Sequence, residues 1–141
     1  MRNKINAIVP STFGLLLLMM WHNAYTAEYK KLEFSETLHS EQRTLVVKHV
    51  PEMIELTQLP QQKRDLSIAV AIADLNEDGR LDIVARLAHF NICGLHNCPV
   101  VILIATEEGE WKSVIDDVSV PILAPILLLD KKTNGYKDIV F

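Results

Sequence analysis

The chain is poor in cysteine, in positive charge and in long unbroken apolar runs, and each shortage removes a class of protein. Its only two cysteines, Cys93 and Cys98 in "NICGLHNCPV", do not form the Cys-x-x-Cys of a dithiol redox catalyst. Neither lies near the N-terminus, so no lipid anchor is expected there. Lys and Arg number 14 against 18 Asp and Glu. That balance does not suit nucleic acid or an anionic membrane surface. No Gly-x-Ser-x-Gly occurs, and the Ser and His residues form no recognisable nucleophile arrangement. Enzymatic function is not expected.

The longest apolar stretch, "FGLLLLMMW", lies early in the chain, with Pro10, Ser11 and Thr12 interrupting the run before it. A spanning helix needs about 20 apolar residues. With Arg2 and Lys4 ahead of it and small residues behind, residues 1–27 have the three regions of a secretory signal. Cleavage is predicted after Ala27, although Tyr25 occupies a place where a small residue is preferred. The product, residues 28–141, is expected to be one small domain, periplasmic or secreted, with no membrane span. Residues 1–27 carry two of the basic groups and none of the acidic ones, leaving 12 against 18 and a net charge of about −6. Such a chain suits a cation.

In an oxidising compartment an isolated close cysteine pair reads as a disulfide. Cys93–Cys98 is therefore predicted to pin a surface loop, worth about 2 kcal/mol in the chain-entropy model. His89 and His96 stand near it and would complete a Cys₂His₂ set for zinc or copper. Their spacing matches no standard finger, and the disulfide with two ordinary histidines is the stronger reading.

Residues 28–42 give no firm structural signal. "TLVVKHV" (44–50) is β-branched and predicts a strand. "VPEMIELTQL" (50–59) predicts a short helix, with Pro51 in its first turn, Val50, Met53, Ile54 and Thr57 on one face, and Pro60 ending it. "QQKRD" is an exposed connection. Strands are then expected over "LSIAVAIAD", "RLDIVARLAHF", "PVVILIATE" and "WKSVIDDVSV", with Pro121 and Pro125 confining the next stretch to edges or bulges. "TNGYKDIVF" carries an Asn-Gly hairpin signal. The expected class is α+β, mainly antiparallel β-hairpins with one short helix, stapled by one disulfide. "ADLNEDGRLDIV" (73–84) echoes "LDKKTNGYKDIV" (129–140) at an offset of 56 residues.

The first copy carries the chemistry. Asp74, Asn76 and Asp78 supply side-chain oxygens at alternate positions, Gly79 permits a sharp bend, Arg80 offers its carbonyl, and Asp82 follows. Calcium takes six to eight oxygens at roughly 2.3–2.6 Å, and with water this set nearly fills that shell. An EF-hand requires a bidentate Glu where this chain has Ala85, so that reading fails. Asp and Asn can also satisfy a turn unaided, with Arg80 neutralising part of the cluster. The second copy is a poor ion site, because Lys132 replaces a ligand and Lys131 and Lys137 add positive charge.

"DLNEDGRLD" resembles the calcium loop of FG-GAP and VCBS repeats, D-x-[DN]-x-D-G-x-x-D, which lies between two strands. The resemblance implies Asp74, Asn76, Asp78 and Asp82 as side-chain ligands of Ca2+ and Arg80 as a carbonyl ligand. A closed propeller is excluded, since blades need about 40 residues each and at least four of them. Over residues 66–141 the order "DLNEDGRLD", "CGLHNCP", "NGYKD" is similar to small exported bacterial proteins that carry no established activity. Against that pattern the last strand is very short, as a product truncated at Phe141 would leave it. Two functions are thus expected. One is a non-enzymatic exported binding or structural domain with a calcium-stabilised hairpin loop. The alternative is a periplasmic protein-interaction module, inhibitor or immunity in type, using loop 93–98 to contact an unknown protein partner.

Overall fold

A computed structural model describes residues 28–58 and 66–141. The expected signal, its cleavage after Ala27, Pro60 and "QQKRD" lie outside the described residues. Seven strands and two short helices appear in the order β1 (Tyr29–Lys31), α1 (Ser40–His49), α2 (Pro51–Thr57), β2 (Ser67–Ala73), β3 (Asp82–Ala88), β4 (Asn97–Ala105), β5 (Trp111–Pro121), β6 (Leu127–Thr133) and β7 (Tyr136–Val140). The class is α+β as expected, with two helices in the described residues where one was predicted.

Strands β2 to β5 form an antiparallel meander in that order, and β1, β6 and β7 form a second antiparallel sheet with β6 in the middle. Alternation along the large sheet builds two cores. Val84 of β3 and Val100, Ile102 and Ile104 of β4 point to one face, where Leu32, Ile126 and Leu128 join them. Ile83, Ala85 and Leu87 with Val101 and Leu103 point to the other, where Val46 and Val50 meet them. The large sheet is thus sandwiched between the helices and the small sheet. Burial on both faces explains why β4 is an unbroken apolar run rather than an alternating one.

Residues 44–50 are helical, not the predicted strand. As a strand, Val46, Lys48 and Val50 would share a face and Lys48 would be buried. As a helix, Val46 and Val50 lie four apart on the buried face while Lys48 remains exposed. Glu41, Gln42 and Arg43 upstream favour the helix too. Pro51 then separates α1 from α2, because the residue before a proline avoids helical geometry; Val50 has φ −129° and ψ 51°. The predicted face of α2 is observed, with Val50 buried and Met53 and Ile54 packed against the core. Asn134 (φ 52°) and Gly135 (φ 87°) form the two-residue turn expected between β6 and β7.

Candidate functional site

The loop between β2 and β3 spans residues 74–81. Asp74 organises it, accepting the backbone N–H groups of Asp78 at 3.2 Å and Gly79 at 2.9 Å. Asn76 accepts the same Asp78 N–H at 3.3 Å and donates its amide to Asp78 Oδ2 at 2.6 Å. Asp78 accepts the Arg80 N–H at 2.8 Å and the Arg80 guanidinium at 2.7 Å. These bonds hold Asp78 below the ordinary carboxylate range, the Arg80 backbone N–H contributing most. Gly79 sits at φ 85°, where a Cβ would meet open space, so the backbone conformation alone favours glycine there. Asp74, Asn76, Asp78 and Arg80 are therefore brought together.

Asp82 lies at the loop's base, fully buried, and accepts the N–H groups of Leu75 at 2.8 Å and Ala105 at 3.0 Å. It ties the loop to the end of β4. Burial pushes its carboxyl above the ordinary range, and the negative charges of Asp78 and Asp74 push the same way. The two N–H donors offset part of this.

The donor set is hard oxygen, the chemistry calcium takes. Each carboxylate oxygen that accepts one N–H bond retains a lone pair. The side chains are nevertheless held by bonds to one another and to the backbone, and the Arg80 guanidinium already supplies positive charge to Asp78. Among the described residues no group of three or more His, Cys, Asp or Glu side chains is arranged to hold a metal ion.

The lysines that spoil the second copy as an ion site reach over to the first. Lys137 Nζ stands 3.3 Å from the Glu77 carboxylate, Lys132 contacts its other oxygen, and the Lys137 N–H donates to the Leu75 carbonyl at 2.7 Å. Sequence spacing gave no sign of this clamp. The echo between the two hairpins is one of composition, since two residues make the β6–β7 turn where 74–81 make the first loop.

Cys93 and Cys98 form the expected disulfide, so neither offers a thiolate to a metal. The loop is further closed by Gly94 N–H to the Asn97 carbonyl at 2.7 Å, and Ile122 donates to the His96 carbonyl at 3.1 Å. Leu95 within it is 92% exposed, and Leu123, next to Ile122 in the β5–β6 connection, is 90% exposed. His89 beneath it is only 4% exposed. Its Nδ1 accepts the Asn91 N–H at 3.2 Å, and Asn91 donates to the Leu56 carbonyl at 2.6 Å. The sequence marked His89 as a possible ligand but not as a buried group. No described helix is long and apolar enough to cross a membrane. Comparison with protein families, curated proteins and solved structures finds no match to this chain.

Proposed function

We propose that this chain is a small, non-enzymatic exported binding or structural domain whose β2–β3 loop is stabilised by calcium, held by Asp74, Asn76, Asp78, the Arg80 carbonyl and Asp82. The carrying observation is the convergence of the Asp74, Asn76 and Asp78 side-chain oxygens in one loop, with the buried carboxylate of Asp82 at its base. A divalent cation among these groups would offset their mutual repulsion, with Arg80 leaving Asp78 for Glu107, whose carboxylate is 3.9 Å from its guanidinium. Melting of the oxidised chain with millimolar calcium and with chelator is the test. A dissociation constant of about 0.1 mM, within the range of extracellular modules, gives roughly 1.4 kcal/mol at 1 mM calcium. For a domain of this size that is a shift of several degrees. The shift is expected to vanish in Asp78→Ala; an unshifted wild type would overturn the reading. The second reading, a protein-interaction module built on loop 93–98, is favoured by the exposure of Leu95 within that loop.

A further inference from the structure

Beside the disulfide loop lies an open pocket of about 690 Å³ whose walls include His89, Phe90, Leu95, His96, both cysteines and Ile122. Its volume lies within the usual span for small-molecule sites, about 300–1,000 Å³. The walls carry no Asp, Glu, Lys or Arg side chain. His89 Nε2 is buried and has no hydrogen-bond partner, although the residue lines this space. Because Nδ1 accepts the Asn91 N–H, the proton of the neutral ring belongs on Nε2. A buried donor without an acceptor is costly, roughly 1–3 kcal/mol, and needs an explanation.

We infer that this cavity binds a small apolar molecule bearing one oxygen acceptor, a carboxylate or amide, which takes the His89 Nε2–H while its hydrocarbon body packs on Phe90, Leu95 and Ile122. Metal ligation by His89 is disfavoured, since Nε2 would have to lose its proton with Nδ1 already accepting. A cationic ligand is disfavoured too, for the walls hold no carboxylate and only the His96 ring could accept its N–H. Nε2 is itself buried, so binding requires the wall above it to shift. Gly94 and Leu95 sit between the bridged cysteines, and Leu95 is too exposed for packing to hold it. The inference is independent of the calcium site, which involves none of these residues.

Octanoate, octanamide and octylammonium, matched in chain length, are suitable probes for titration of the ¹⁵N-labelled full chain. Expected are shift changes at residues 88–98 and Ile122 with the two acceptors, a displaced His89 Nε2–H resonance, and binding by octylammonium at least tenfold weaker. His89→Phe, which retains an aromatic ring and loses the donor, is expected to weaken octanoate binding about tenfold. If that variant does not fold, the wild-type imidazole spectrum decides alone. A proton on Nδ1, equal binding of octylammonium, or no response of the loop to either acceptor at millimolar concentration overturns the inference.

Discussion

At the scale of single residues, Asp82 and Asp78 respond to pH in opposite directions. Asp82 has its folded value raised, so between the ordinary carboxylate value near 4 and that raised value the folded chain holds a proton that the unfolded chain has released. Its ionisation costs stability at neutral pH, and that cost is lifted as pH falls through the raised value. Asp78 has its folded value lowered, so its contribution is present above about pH 4 and is lost as pH falls through the lowered value. Relative to Asp82→Asn, the urea midpoint of the wild type is therefore expected to rise on mild acidification, and both fall below about pH 4 as Glu77, Asp78 and Glu108, all with lowered values, take up protons. The variant should also be less stable at every pH, by about 1–3 kcal/mol, because one of the two buried N–H groups loses its acceptor. The cluster itself was legible in the spacing of 74, 76, 78 and 82. The burial of Asp82 was not, since it depends on Ala105, which lies 23 positions away.

At the scale of elements, turn chemistry and strand alternation were legible because both are local. Asn134-Gly135 and the apolar run of β4 needed no distant partner to be interpreted. The α1 segment was not legible, because the β-branched Val46 and Val47 favour a strand until the sheet beneath supplies a face to pack on. Helical geometry makes the two valines unequal: Val46 is fully buried and Val47 is 39% exposed. Val46→Ala is expected to cost about 2 kcal/mol through lost apolar burial and a residual cavity, and Val47→Ala less than about 0.5 kcal/mol. Guanidinium titration of the two variants checks this; equal losses would contradict the helix.

At the scale of the whole molecule, the disulfide fastens one loop and leaves the layers to apolar packing. Replacing both cysteines by alanine is expected to cost about 2 kcal/mol with the fold retained, as measured by the denaturant midpoint and the far-ultraviolet circular dichroism of the variant. Loss of the fold in that variant would assign the bridge a larger role. The layering itself also governs the order in which the molecule can be made. Tyr29–Lys31 pairs with Leu127–Leu129, so one edge of the small sheet comes from the first described strand and its centre from the sixth. A folding chain can complete the four-stranded meander from residues 67–121 alone, yet one face of that meander then stays bare until β6 packs on it. Contacts so distant along the sequence close slowly, because the loop entropy is spent before the pairing repays it. Until residues 122–141 are in place, Val84, Val100, Ile102 and Ile104 form an apolar face open to non-native association.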